Sequence, residues 1–296
     1  MNIIEVNNLT KDYGDNKGIF SINFSVKKGE VLGFLGPNGA GKTTTIRHLM
    51  GFSKADKGSC AINGLNCFDN SSEIQKYLGY LPGEIAFLDD MTGIKFIKFV
   101  AEMKGVKDLA RAKELIERFE LNPKGKIKKM SKGMKQKIGI VCAFMQEPDI
   151  LILDEPTSGL DPLMQNEFIK LISEEKEKGR TILMSSHNFE EVEKACDRAA
   201  IIKEGKIVAV ENISTLKESK QKIYNVTFEN SNMANKFGTE AFKVKEIKDN
   251  NVTVSIKGDI TPFIKALGKY KILNLESYTQ SLEDLFMHFY GGENND

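Results

Sequence analysis

The stretch Val31-Leu32-Gly33-Phe34-Leu35-Gly36-Pro37-Asn38-Gly39-Ala40-Gly41-Lys42-Thr43-Thr44 decides the fold. Its first five residues form a nearly continuous apolar run, as expected of a strand buried on both faces of a mostly parallel sheet. The next eight, Gly36 to Thr43, fit G-x-x-x-x-G-K-[ST], and a helix is predicted from about Lys42 to Met50. Glycines let backbone N–H groups converge on phosphate oxygens, and a helix N-terminus adds partial positive charge. Lys42 is then placed to reach the β- and γ-phosphates of a nucleotide, and the Thr43 hydroxyl to ligate Mg²⁺. A merely Gly-rich turn is the alternative, but it does not account for the motif standing between a buried strand and a helix.

A second apolar strand, Ile150-Leu151-Ile152-Leu153, ends in Asp154-Glu155. A carboxylate at the C-terminal edge of such a strand lies in the same crevice as the phosphate loop. Asp154 is expected to hold Mg²⁺, directly or through water, and Glu155 to accept a proton from the attacking water. Alone, the two acids read equally well as solvated loop charges; the phosphate loop gives them a partner.

The chain has 296 residues, too many for most single domains, so two are expected. Its 41% apolar and 28% charged residues are those of a globular protein with a real core. The 42 Lys+Arg and 41 Asp+Glu leave a net charge of +1, which argues against wholesale nucleic-acid binding, and no nucleic-acid partner is expected. No apolar run approaches the ~18–20 residues needed to span a bilayer. The start, Met1-Asn2-Ile3-Ile4-Glu5, carries neither a basic segment nor a long apolar one, so no secretory signal is read there. Cys60, Cys67, Cys142 and Cys196 form no CxxC pair and no zinc-like spacing with the histidines. Buried, reduced thiols of a cytoplasmic protein are expected.

Residues 1–35 read as strands, with Ile3–Val6 and Ile22–Val26 punctuated by Gly14, Gly18 and Gly29. Between about 93 and 147 the pattern turns helical. Ile94, Ile97, Val100 and Ala101 share one face and Ala112, Leu115, Ile116 and Phe119 another; a third helix begins near Lys132. After Asp154 the reading gives a helix Glu167–Lys178, a strand Thr181–Ser185 and a helix Glu190–Cys196. A hairpin of Ala199–Ile202 and Lys206–Val210 turns at Glu204-Gly205. The expected core is therefore α/β, with an N-terminal antiparallel part and a mainly helical insert. Character changes over Glu211–Lys220, dividing a domain 1–213 from an accessory α+β domain 214–296. There, Lys222–Glu229, Met233–Phe237, Phe242–Ile247, Val252–Ile256, Thr261–Leu267 and Lys271–Leu275 give β-α-β-β-α-β, the ferredoxin-like order. A last helix starts at the capping box Ser281-x-x-Asp284, with Leu282, Leu285, Phe286 and Phe289 on one face.

Between the two nucleotide motifs lies Met130-Ser131-Lys132-Gly133-Met134-Lys135-Gln136-Lys137. It resembles the ABC ATPase signature, ordinarily Leu-Ser-Gly-Gly-Gln: Ser131 and Gly133 match, while Met130, Lys132 and Met134 depart. Ser158-Gly159-Leu160-Asp161 resembles the family's D-loop, His187 falls where its switch histidine belongs, and Tyr13 matches the aromatic on which adenine stacks. Taken singly, Tyr13 reads as a strand aromatic, His187 as a structural histidine, and Ser131 as the N-cap of a basic helix. Their order over residues 1–213 carries the resemblance. It implies a P-loop NTPase fold in which Lys42, Glu155 and His187 are catalytic. ATP would be bound by Tyr13, Gly36, Pro37, Asn38, Gly39, Ala40, Gly41, Lys42, Thr43 and Thr44, and from a second subunit by Ser131, Lys132, Gly133 and Asp161. One set of motifs implies a partner cassette, either another copy or a related chain, since one phosphate loop leaves the γ-phosphate open on one side. Two copies would pair about a two-fold axis.

Within the family, Gly79-Tyr80-Leu81-Pro82-Gly83-Glu84, the signature variant and the tail Ser281–Phe286 look most like bacterial ABC-2-type exporters. The resemblance implies an ATP-hydrolysing subunit, peripheral on the inner face of the membrane, powering export of hydrophobic or amphipathic cargo through a separate permease. Such cargo includes drugs and antimicrobial or other amphipathic peptides. The helical insert and the loop before it would grip the permease. The rival is a soluble ABC ATPase acting on ribosomes or DNA; neither a second cassette nor extended heptads support it. One departure stands out. The family carries Gln after the Gly-Tyr-x-Pro segment, where this chain has Gly83. Either the neighbouring Glu84 supplies an oxygen to Mg²⁺ instead, or Glu84 faces solvent or a permease Arg or Lys.

Overall fold

The computed structural model describes residues 1–88, 90–219 and 221–279. In chain order the elements are β1 (Asn2–Asp12), β2 (Gly18–Lys27), β3 (Val31–Leu35), α1 (Lys42–Leu49), β4 (Lys57–Ile62), β5 (Leu65–Asn66), α2 (Ser71–Tyr77) and β6 (Leu78–Leu81). Three helices follow, α3 (Gly93–Met103), α4 (Ala110–Arg118) and α5 (Lys132–Phe144). Then come β7 (Ile150–Asp154), α6 (Pro162–Glu177), β8 (Thr181–Ser186), α7 (Phe189–Ala195), β9 (Arg198–Lys203) and β10 (Lys206–Asn212).

Every residue of β3, β7 and β8 is buried, which explains their unbroken apolar runs. They are inner strands of a six-stranded sheet ordered β10-β9-β3-β8-β7-β6. All its pairings are parallel except β9–β10, a hairpin whose Glu204 and Gly205 both take the left-handed backbone that its tight turn requires. The four-stranded sheet β2-β1-β4-β5 is antiparallel. One core serves both: Val6, Ile22 and Val26 from the antiparallel sheet meet Phe34, Ile152 and Leu183 from the parallel one, with Ile46 and Leu49 of α1 among them. That arrangement roots α1 on both sheets and so fixes where its N-terminus points.

The insert is helical, as read, and its buried face comprises Phe96, Ile97, Ala101, Leu115, Phe119, Ile138 and Val141. Phe96 takes the place expected of Ile94 and Val100, which are half-buried. Arg111 and Arg118 of α4 tie the insert to α6: Arg111 pairs with Glu175 at 2.7 Å, and Arg118 with Glu167 and Glu174 at 2.8 and 2.5 Å.

Two readings change, and residues 51–81 add elements to those read from sequence. The helix expected from Glu167 begins at Pro162, because the Asp161 side chain accepts from the Met164 N–H and proline fits the first turn of a helix. Residues 51–81, which carry little periodicity, form β4, β5, α2 and the edge strand β6. The polar stretch near Glu211–Lys220 contains α8 (Ile213–Ser219).

Backbone contacts divide the chain into two units, Met1–Ile213 and a second beginning at Ser214. The second contains β11 (Lys222–Phe228), α9 (Ser231–Phe237), β12 (Lys243–Lys248), β13 (Asn251–Ile256), α10 (Thr261–Leu267) and β14 (Ile272–Thr279). Its antiparallel sheet is ordered β12-β13-β11-β14, the arrangement of a ferredoxin-like β-α-β-β-α-β unit. Val226, Phe228 and Val254 of the sheet and Phe237 and Phe263 of its helices are all fully buried. The helix expected from Ser281, with Leu282, Leu285, Phe286 and Phe289, lies outside the described residues. No helix among the described residues is long and apolar enough to cross a membrane.

Candidate active site

The chain leaves β3 at Leu35, loops through residues 36–41 and enters α1 at Lys42. Gly41 is the helix cap at φ 111°, a left-handed conformation that L side chains rarely adopt, so the motif's second glycine is a backbone requirement. The loop is braced from behind, since the Gly205 N–H in the β9–β10 turn donates to the Ala40 carbonyl at 2.9 Å. Lys42 is buried, and its ammonium donates to the carbonyls of Gly36 at 2.6 Å and Pro37 at 3.2 Å.

Register brings the acids to the same crevice. Asp154 ends β7 directly beside Ser185 of β8 and is completely buried. One of its carboxylate oxygens accepts from the Thr43 hydroxyl at 2.8 Å and the other from the Ser185 hydroxyl at 2.5 Å. The next residue, Glu155, has φ 48°. Its carboxylate lies between two bases, the Lys42 ammonium at 3.1 Å and His187 Nδ1 at 2.7 Å. The Lys42 contact is a charge pairing rather than an aligned hydrogen bond. His187 stands just past the end of β8, next to Ser186, whose hydroxyl donates to the buried Glu191 carboxylate at 2.5 Å. Burial, and secondarily the nearby Glu155 charge, push the Glu191 carboxyl above the usual carboxylate range.

The signature-like segment opens α5. Ser131 is its N-cap and accepts from the Met134 N–H at 3.2 Å. Gly133 abuts the Gly159 backbone so closely that a Cβ there would lie 2.5 Å from the Gly159 carbonyl oxygen. Asp161 caps α6 two residues beyond Gly159, accepting from Met164 at 3.0 Å. Thus Ser131, Lys132, Gly133 and Asp161 share one neighbourhood, while Lys42, Thr43, Asp154, Glu155 and His187 form one bonded network.

Tyr13 and Glu84 join neither by a hydrogen bond or ion pair. Tyr13 is 59% exposed on the turn after β1, with the Lys11 ammonium 6.0 Å from its ring centre, which leaves a free aromatic face. Glu84 is exposed; it is Gly83 that meets the acids, and a Cβ built there would lie 3.2 Å from an Asp154 carboxylate oxygen. Two residues at the centre were not singled out from sequence, Ser185 and Gln136. The available signals are a hydroxyl directly after the apolar run Ile182–Met184 and an amide on the apolar side of α5.

A phosphate loop between a buried parallel strand and its helix, with paired acids at the end of a strand two places along the sheet, defines a P-loop nucleotide triphosphatase. Residues 19–158 match the family model described as ABC transporter. The bacitracin transport ATP-binding protein BcrA of Bacillus licheniformis is 35% identical, with 98% of each chain aligned. The linearmycin resistance ATP-binding protein LnrL of Bacillus subtilis is 37% identical over 70% of this chain and 68% of its own. A solved ATP-binding subunit of an ABC transporter superposes with a TM-score of 0.67 at 32% identity, covering 73% of this chain and 92% of that one. The chain belongs to the ATP-binding subunits of ABC transporters: it binds ATP, and its hydrolysis of ATP is coupled to transport.

Proposed function

We propose that this subunit powers export of an antimicrobial peptide or similarly amphipathic drug through a separate membrane permease. The observation that carries the cargo class is the alignment with a bacitracin transport protein over 98% of both chains, which takes in the second unit as well as the ATPase core. Similarity to a linearmycin resistance protein points to the same class.

In this reading Tyr13 stacks on adenine, residues 36–44 wrap the phosphates, and Lys42 exchanges its loop carbonyls for phosphate oxygens. Glu155 takes the proton of the attacking water, and His187, already in contact with its carboxylate, holds it in place. Thr43 and Asp154 suit a hard divalent cation, because both offer oxygen donors and they already face one another. Mg²⁺ bound there would neutralise developing phosphate charge. Glu84, exposed and without an ion pair among the described residues, is read as facing solvent or a permease cation rather than the metal. Ser131, Lys132, Gly133 and Asp161 would serve the ATP of a second cassette, so two chains must meet head-to-tail. The insert, residues 93–147, would grip the permease and hold the chain at the inner membrane face. The second unit would act as an accessory domain.

The test is expression of this chain with candidate permeases in a sensitive bacterium, using Glu155→Gln as the paired control. Raised tolerance to bacitracin-like peptides with the unaltered chain, absent with the variant, supports the reading. Equal tolerance for both across peptide and polyene panels, in an assembled ATP-hydrolysing complex, would overturn the cargo assignment.

A further inference from the structure

Glu155 adopts a left-handed backbone, a conformation that costs a non-glycine residue and persists only where its surroundings impose it. Besides the Ser158 N–H, which donates to the Glu155 carbonyl at 3.1 Å within the following turn, two side chains bond this backbone. On one side the Glu155 N–H donates to the Ser185 hydroxyl at 3.0 Å, while that hydroxyl donates to Asp154. On the other, the Gln136 amide nitrogen donates to the Glu155 carbonyl at 3.3 Å and to the Pro156 carbonyl at 2.8 Å. Ser185 is fully buried and Gln136 is 4% exposed, so both side chains reach the half-buried Glu155 backbone from the interior. The two residues come from different places: Ser185 from the strand beside β7, Gln136 from the first turns of the helix that Ser131 caps.

We propose that Gln136 and Ser185 are positioning residues that clamp the Glu155 backbone, and that Gln136 thereby couples the base of one ATP site to the signature helix serving the other. The inference rests on the reading of Glu155 as the base. Ser185 sets the base relative to Asp154, because one hydroxyl binds the carboxylate of one acid and the amide of the next. Gln136 sets it relative to Ser131, because only four residues of one helix, Lys132 to Lys135, separate the cap from the amide. A movement of α5 that seats Ser131 against a partner's ATP is then transmitted to the Glu155 and Pro156 carbonyls.

The variants Gln136→Leu, Gln136→Glu, Ser185→Ala, Ser185→Thr and Glu155→Gln are compared in the assembled transporter by steady-state ATPase kinetics from about pH 6 to 8.5. Binding of a fluorescent ATP analogue is measured in parallel. Gln136→Leu should lower kcat at least tenfold, leave ATP affinity within twofold, and reduce cooperativity between the two sites. Gln136→Glu should match that loss at high pH, since an ionised carboxylate donates to neither carbonyl. It should regain activity relative to the unaltered protein as the pH falls and the carboxyl acquires a proton. Ser185→Thr should retain turnover and Ser185→Ala should not. Should Gln136→Leu fail to fold, the pH profile of Gln136→Glu decides alone. Loss of turnover in Glu155→Gln with a Gln136→Leu enzyme within twofold of normal, or a Gln136→Glu profile parallel to the unaltered one, overturns the clamp. Sustained turnover in Glu155→Gln overturns the base assignment instead.

Discussion

Replacing Gly133 by alanine places a methyl group where the backbone leaves no room for one. The new Cβ would sit 2.5 Å from the Gly159 carbonyl oxygen, and ordinary contact begins at 3.4 Å, so α5 and the Ser158–Asp161 segment must separate by nearly 1 Å. Neither side yields easily. Gly159 is held at φ 81° inside a turn closed by Ser158 N–H to Glu155 O at 3.1 Å and Leu160 N–H to Thr157 O at 3.0 Å. Gly133 is the second residue of a capped helix whose face is buried. Overpacking of this kind costs about 1–3 kcal/mol of stability. The functional loss should be larger, because a displacement of about 1 Å in positioning groups costs on the order of 100-fold in rate. ATP affinity should hold, since the phosphate loop is untouched. Urea unfolding gives the first quantity, steady-state ATPase activity the second, and titration with a fluorescent ATP analogue the third. Normal turnover with unchanged stability would refute the close approach of the signature helix and the D-loop-like segment on which the account of the partner-facing surface depends.

Three further outcomes are expected. Lys42→Ala should weaken ATP binding while Ser131→Ala leaves it near normal, and mixing the two should partly restore turnover through one intact composite site; equal losses of binding, by the same titration, would contradict the division of labour. Glu191→Gln should be more stable relative to the unaltered protein at about pH 8 than at about pH 5. The folded-state carboxyl is raised by burial, so its contribution is complete below the ordinary carboxylate value and is lost as pH climbs through the raised one. Urea unfolding at the two pH values checks the sign. Glu84→Ala should change Mg²⁺-dependent turnover by less than about twofold, because the side chain is exposed and Gly83 is the residue against Asp154; a tenfold loss with unchanged ATP affinity would return Glu84 to the metal.

The residues legible from sequence are those whose role depends on near neighbours in the chain. Gly41, Lys42 and Thr43 are consecutive, and the strand before them and helix after them are strongly patterned. Asp154 and Glu155 end a run of four apolar residues, which places them at a strand edge without knowledge of any partner. Gln136 and Ser185 act on Glu155 from 19 and 30 positions away, a relation that only the packing of α5 and β8 on β7 creates. Asp161 shows a different difficulty: it matches the D-loop pattern and also caps α6, and the apolar periodicity that marks a helix from Glu167 carries no sign of the five residues between Glu167 and that cap. At Gly83 and Glu84 the loop conformation, which sequence does not encode locally, brings the first of the two neighbours against Asp154. The weakly patterned stretch 51–81 hid an edge strand because β6 is four residues long and takes its identity from its pairing with β7.

Whether Glu155 is the base of a composite ATP site shared by two chains is decided by the behaviour of Glu155→Gln with ATP. The substitution keeps the shape of the side chain beside His187 and removes the charge facing Lys42. Single-turnover hydrolysis and the sedimentation of the ATP-loaded protein are followed together. Hydrolysis reduced by at least about 100-fold, normal ATP binding and a dimer that persists while ATP is present are the predicted result. Turnover within about twofold of the unaltered protein, or an ATP-loaded protein that sediments as a monomer alone and with its permease, would contradict it.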